Sequence, residues 1–363
     1  MAALVDGRIE TFDVPGARVV HGKAFPLGIR VKEGQAFSDI DAAVAHIDRL
    51  AEQGTLDDLL RDHGTILFRG FPVADASGFS RFVQAFRLPQ QHQEVGLSGM
   101  RTAVNGFVKT ANEEPPDVKF YYHAEYGRSA HFPNVLFFFS EKVPAKGGQT
   151  PLLSSLELYD ELKKQVPDFV QALADKGIIG RQYFPSKNDP EAAHIGWNWH
   201  DSYGFGINEA TDSLEQQRRK VEAVLRDRLH ADGAWQDRNG ALYVLQRLPA
   251  LRRVASTGKP VFFNGLMGVY GRARDNRALE PPYKGLDGKY HLPTTYGDGT
   301  PIPDATLDKV LQIADSIGFL VPWQVGDVAY IDNYTTQHAR TPWEGERSLL
   351  VSLWDSKETF AKY

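Results

Sequence analysis

Three side chains in this sequence have the types and spacing to hold a metal ion. His123 and Glu125 stand two apart in Phe120-Tyr121-Tyr122-His123-Ala124-Glu125-Tyr126. His338 follows 215 positions later in Asn333-Tyr334-Thr335-Thr336-Gln337-His338-Ala339-Arg340. On a β-strand, residues i and i+2 share a face. His-x-Glu on a strand therefore presents an imidazole and a carboxylate side by side. A second imidazole from a distant strand completes a two-histidine, one-carboxylate set, which suits non-heme iron(II) with coordination positions left open. His-x-Glu alone is a common dipeptide pattern, and its bland reading is an ordinary surface or core pair.

Two further residues bear on the same chemistry. Arg347 opens Ser348-Leu349-Leu350-Val351-Ser352-Leu353-Trp354, an apolar run that reads as a buried strand. A charge there needs a partner. One reading is a structural ion pair with Asp or Glu; the other is a two-point clamp for the carboxylate of a small dicarboxylate. Thr150 follows the turn Gly147-Gly148 and could give its hydroxyl to the same carboxylate, or could simply be a β-branched strand residue.

The elements that must position these residues follow from patterning. Apolar residues at helical spacing predict a helix over 39–62, a strand over 64–70 and a short helix over 77–86. Strand signals dominate 103–153, with Asn134 to Ser140 rich in aromatics and a strand at 149–153 after the double glycine. Helical character returns over 155–232, with one stripe of Leu156, Tyr159, Leu162 and Val166 and another of Val221, Val224, Leu225 and Leu229. Strands resume at Ala241 to Gln246, Lys259 to Phe263, Val328 to Ile331 and Arg347 to Trp354. Between them lie a long Gly-, Pro- and Tyr-rich connection, 265–303, of the kind that is often functional, and a helix over Asp304 to Ile317.

The order is strands, a helical insert, then strands. It predicts one domain over 1–363: a mainly β jelly roll with flanking helices, its strands within 100–155 and 240–355 and its insert at about 156–235. The metal set requires this, because its members come from both strand blocks.

Composition narrows the function classes. The chain has 363 residues, 42% hydrophobic, with a net charge of −5, so nothing marks it for nucleic acid or an anionic membrane. It has no cysteine, which excludes disulfides and thiolate ligands and leaves nitrogen and oxygen to bind any metal. The first ten residues lack a signal-peptide pattern and no apolar run is long enough to span a bilayer. The expectation is a cytoplasmic protein acting on a small molecule. The sequence does not set its oligomeric state, and a homodimer is open.

With these motifs in order, the chain resembles the iron(II)/2-oxoglutarate-dependent oxygenases of the taurine dioxygenase and clavaminate synthase-like family. The resemblance rests on Leu67-Phe68-Arg69-Gly70-Phe71-Pro72, His123-Ala124-Glu125, Pro133 to Phe139 with Pro144 to Pro151, Thr257 to Asn264, Gly326-Asp327, Asp332-Asn333, His338-Ala339-Arg340 and Arg347. It implies a double-stranded β-helix with a helical insert. It implies that His123, Glu125 and His338 ligate iron and that Thr150 and Arg347 hold the distal carboxylate of 2-oxoglutarate. Dioxygen would then drive oxidation of a substrate C–H bond, releasing succinate and carbon dioxide.

Related halogenating enzymes have a small residue where this chain has Glu125, so the resemblance points away from halogenation. Taurine dioxygenase has a second arginine where this chain has Val351, which makes a sulfonate substrate doubtful. Asn105, Tyr126, Arg128, Trp197 and Arg340 are the candidate substrate contacts. Arg340 also has a structural reading, and Trp197 and Trp199 could be core of the insert. His131, His194 and His200 read as hydrogen-bonded or surface histidines. The competing functions are a zinc hydrolase using the same three ligands, although no helical His-Glu-x-x-His is present, and a non-catalytic jelly roll that binds without turnover.

Overall fold

The computed structural model describes residues 7–96, 101–111 and 114–363. Two facing sheets form its centre. The larger runs, edge to edge, through Ile9–Phe12, Leu27–Val31, Thr65–Arg69, Val328–Asp332, Val135–Lys142, Ser348–Asp355, Val108–Thr110 and Ala103–Asn105. The smaller runs through Phe319–Leu320, Pro151–Ser154, Thr336–Arg340 and Phe120–His123. The early strand block pairs with the late one, as the metal set requires: Val135 to Phe139 lies antiparallel to both Val328–Asp332 and Ser348–Asp355. This is the expected jelly roll.

The period-2 alternation of the central strands explains why they are apolar throughout. Leu136, Phe138, Leu349, Val351 and Leu353 face the smaller sheet, packing with Leu152, Ala329 and Ile331. Val135, Phe137, Phe139, Leu350 and Trp354 face the other way, onto Ile47, Phe79 and Phe82 of the helices Ile40–Glu52 and Ala76–Gln84. Both faces are buried, so neither carries a polar row. Two of the recognised motifs meet at one edge. Arg69 reaches Asp327 through Nε at 3.0 Å and Nη2 at 2.7 Å, a two-point pair that ties the Thr65–Arg69 strand to the turn before Val328.

Several elements differ from expectation. The helix expected over 39–62 is two helices, Ile40–Glu52 and Thr55–His63, broken at Gly54, whose φ of 72° is left-handed. The insert is not purely helical. Ile178–Phe184, a β-branched and aromatic run between Gly177 and Pro185, is a strand in a separate sheet with Asp232–Trp235, Leu242–Leu248 and Thr295–Tyr296. The connection 265–303 hides the helix Leu266–Asp275. That helix lies on the strand Phe120–His123 because two of its residues are glycine. A Cβ at Gly271 would fall 2.4 Å from the Tyr121 ring, and Gly268 sits beside the His123 Cβ. The helix Asp304–Ile317 is as expected. No helix among the described residues is long and apolar enough to cross a membrane.

Candidate metal and cosubstrate site

Strand register brings the two histidines together. His338 pairs with Leu152 on one side and with His123 on the other. Directly opposed residues on neighbouring strands stand close enough for their side chains to meet, and the imidazole centroids are 4.4 Å apart. Glu125 arrives differently from the expected strand geometry. The strand ends at His123, and Glu125 lies in the turn that follows. The Asn333 side chain fixes it there. Asn333 Oδ1 accepts from the Glu125 N–H at 2.7 Å, and Nδ2 donates to the Glu125 carbonyl at 3.0 Å and to the Pro133 carbonyl at 2.7 Å.

One ligand atom from each of His123, Glu125 and His338 falls within 4.8 Å of the others. The electrostatics suit a cation. His123 Nδ1 donates to the Tyr121 carbonyl at 2.8 Å, so the neutral ring turns the lone pair of Nε2 outward. Burial, and then the neighbouring His338, pull the His123 imidazole down to about 4. Burial pushes the Glu125 carboxyl up, but Arg101, His338 and His123 outweigh it and hold it well below the usual carboxylate range. Glu125 Oε1 accepts from Arg101 Nη2 at 2.8 Å. Glu125 Oε2 is buried with no hydrogen-bond partner, 3.4 Å from His338 Nε2. An acceptor oxygen left bare between two imidazole nitrogens is what a divalent cation would satisfy, so these residues fit iron.

Thr150 and Arg347 open onto the same cavity, of about 300 Å³. Arg347 continues the alternation of Leu349, Val351 and Leu353, which aims it at the smaller sheet, where Thr150 lies two residues before Leu152. Thr150 Oγ1 accepts from Trp323 Nε1 at 3.0 Å, which leaves its own hydrogen to donate elsewhere. Arg347 Nε donates to the Gly148 carbonyl at 2.9 Å and its guanidinium stacks over Trp343. No carboxylate of the described residues pairs with it, so the structural ion pair of the sequence reading is not found among them. Burial pulls Arg347 down to about 10. A largely buried cation without an anion, beside a free hydroxyl hydrogen, fits a bound dicarboxylate.

Of the five candidate substrate contacts, four line the cavity: Tyr126, Arg128, Trp197 and Arg340. Asn105 does not. It is exposed beside Gly106, at the tip of the hairpin formed by Ala103–Asn105 and Val108–Thr110. Arg340 takes its structural reading. Its Nη1 and Nη2 donate to the carbonyls of Glu114, Pro115 and Val118, and its plane lies over Phe120 and Trp343. Trp197 Nε1 donates to the Tyr183 carbonyl, with Lys289 Nζ 5.0 Å above the ring. Tyr126, with φ of 55°, donates to Glu94 Oε1 at 3.0 Å, the carboxylate that also takes Arg101 and Lys109. His131 and His194 are spent on backbone carbonyls, and Val351 is buried in the intersheet core.

Sequence reasoning missed Arg101, Trp323 and Tyr203. Trp323 had a usable signal, an aromatic just before the recognised Gly326-Asp327 turn. Arg101 had none, being a lone arginine in a polar stretch.

The family model for taurine catabolism dioxygenase TauD, TfdA family, matches residues 32–354. A clavaminate synthase-like protein of Arabidopsis thaliana is 34% identical over 298 residues, 82% of this chain and 83% of that protein. The dapdiamide synthesis protein DdaC of Enterobacter agglomerans is 27% identical over 317 residues, 86% of this chain and 88% of that protein. The crystal structure of a taurine dioxygenase from Burkholderia xenovorans superposes on 97% of this chain and 91% of its own, at 14% identity and a TM-score of 0.45. The chain belongs to the TauD/TfdA family and is an iron(II)- and 2-oxoglutarate-dependent oxygenase.

Proposed function

We propose that His123, Glu125 and His338 hold the iron, that Thr150 and Arg347 hold the distal carboxylate of 2-oxoglutarate, and that the enzyme oxidises a C–H bond of a small polar metabolite. The observation that carries this reading is the pairing of two unmet demands in one cavity. Among the described residues, Glu125 Oε2 lacks a donor beside the two imidazoles, and Arg347 lacks an anion in the cavity that Thr150 also lines. Dioxygen would be the oxidant, activated at the bound iron; 2-oxoglutarate would give two of the four electrons as it becomes succinate and carbon dioxide, and the substrate C–H bond would give the other two.

The chain's own residues do the rest. Asn333 and Arg101 orient Glu125, Tyr121 sets the His123 tautomer, and Trp323 turns the Thr150 hydroxyl toward its acceptor. The cavity volume, about 300 Å³ before the cosubstrate takes its share, supports a small substrate such as an amino acid, an amine or a specialised metabolite. Hydroxylation is the simplest outcome. Glu125 occupies the position that halide transfer would need open. A zinc hydrolase would use the three ligands but give Thr150 and Arg347 no role.

The test is 2-oxoglutarate turnover to succinate with ferrous iron, with and without a panel of small polar compounds. The reading predicts slow succinate formation in the wild type, stimulated by a substrate and abolished in His123→Ala. Failure of the wild type to bind iron and 2-oxoglutarate, or a His123→Ala variant indistinguishable from it, would defeat the assignment.

A further inference from the structure

The charges around the cavity do not balance, and the imbalance points to the substrate. Arg272 and Lys289 line it and share Glu114, and Arg272 also reaches Asp287, so two carboxylates meet the two cations. Arg101 is paired with Glu94 and Glu125. Arg340 is spread over three backbone carbonyls. Two further cations have neither a carboxylate nor such a set of carbonyls among the described residues. One is Arg347, which the reading above gives to 2-oxoglutarate. The other is Arg128.

Arg128 is built into the wall rather than left on it. The turn after Glu125 carries it inward, with Gly127 N–H bonded to the Ala124 carbonyl and Ser129 N–H to the Tyr126 carbonyl. Its stem lies where a side chain at residue 265 would be: a Cβ on Gly265 would fall 2.2 Å from the Arg128 Cγ. One nitrogen, Nη2, donates to the Arg181 carbonyl at 3.0 Å, while Nε is buried without a partner among the described residues. Burial pulls the guanidinium down to about 10, with no carboxylate to offset it. A second unmet group stands in the same wall. Tyr203 is fully buried at the end of the short helix Trp199–Tyr203, and its hydroxyl has no hydrogen-bond partner among the described residues. Its ring packs on Phe184 and against Gly96, where a Cβ would fall 2.9 Å from the hydroxyl. Both groups line the cavity that holds the metal set. An unpaired buried cation is costly, and so is a buried hydroxyl without a partner. One carboxylate would satisfy both.

We propose that the primary substrate carries a carboxylate, which docks on Arg128 and accepts a hydrogen bond from Tyr203. This rests on the assignment of Arg347 to the cosubstrate. Arg128 and Tyr203 then fix the unreactive end of the substrate, so that its reacting carbon is placed by the length between the carboxylate and the metal set.

The test uses the full chain loaded with ferrous iron and 2-oxoglutarate in the absence of dioxygen, titrated calorimetrically with benzoate and hexanoate and with benzamide and hexanamide. The acids are expected to bind at least about tenfold more tightly than the amides, since hydrogen bonds to a charged group carry that margin. Arg128→Gln is expected to weaken the acids by roughly 10- to 100-fold and Tyr203→Phe by roughly tenfold, with 2-oxoglutarate affinity unchanged in both. Arg128→Lys should restore part of the loss. Equal binding of acids and amides, no binding of either acid at millimolar concentration, or acid binding that survives Arg128→Gln each overturns the proposal. The comparison of acids with amides needs no variant to fold. Failure of the wild type to take up iron or 2-oxoglutarate is a different result, and it strikes the metal-site assignment instead.

Discussion

Asn333 offers the sharpest test of how the site is held. Its amide makes three hydrogen bonds, two to the backbone of Glu125 and one to Pro133, and it is fully buried. Asn333→Asp keeps the shape and the acceptor for the Glu125 N–H. It replaces the donor with an oxygen facing two carbonyls. Each orphaned buried acceptor costs about 1–3 kcal/mol, so two cost roughly 2–6 kcal/mol, against a total stability of about 5–15 kcal/mol for an ordinary domain. Asn333→Ala orphans all three groups and leaves a small void, so its loss should be similar or larger. The carboxylate of Glu125 would also lose its aim. Outer residues that orient metal ligands are worth about 10- to 100-fold in affinity. Denaturant titration should show a lower midpoint at constant slope, and ferrous iron titration should show the weaker site. An Asn333→Asp protein within about 0.5 kcal/mol of wild type and with unchanged iron affinity would refute the account, because a surface residue would do as much.

Arg347→Gln should raise the KM for 2-oxoglutarate by roughly 10- to 100-fold, while leaving thermal stability unchanged or higher, since the cation it removes is largely buried without an anion; steady-state succinate assays and a melting curve check both. Thr150→Val, which keeps the shape but loses the hydroxyl, should raise the same KM by roughly tenfold, and an unchanged KM would place the carboxylate elsewhere. Asp332 is pushed up to about 7 by burial, against the opposing pull of hydrogen bonds from Thr335 and Tyr334. The folded state therefore holds a proton that the unfolded chain has lost above about pH 4. Stability from this group is full below that pH and declines as pH rises toward 7, by up to about 1.4 kcal/mol per pH unit. Asp332→Asn should flatten that slope in denaturant titrations, and an unchanged slope would show that Asp332 ionises freely.

The residues whose chemistry is intrinsic were legible in the sequence. His123 ends the aromatic run Phe120 to Tyr122 and His338 lies in a motif of the family resemblance, and strand pairing then sets them opposite each other. Arg347 was legible because a guanidinium at the head of an apolar strand demands an explanation. What was hidden depended on contacts without a local signature. Glu125 shares a site with His123 through Asn333, 208 residues away, and not through strand periodicity. The helix Leu266–Asp275 was masked by Gly268 and Gly271, which lower helix propensity yet are needed where Tyr121 crosses the helix. Asn105 looked well placed from strand order alone, but the turn at Gly106 sends it to solvent.

The placement of charge carries the most functional information, and it becomes visible only when every cation near the cavity is assigned. Arg69 with Asp327, Arg101 with Glu94 and Glu125, and Arg272 and Lys289 with Glu114 are settled by the protein itself. A fold selected for stability alone would settle Arg128 and Arg347 in the same way, or replace them with apolar residues of similar volume. Both instead face one cavity with no carboxylate partner among the described residues. On the proposals above, the cost of leaving them so would be recovered when ligands bind: a dicarboxylate cosubstrate at Arg347 and a carboxylate-bearing substrate at Arg128.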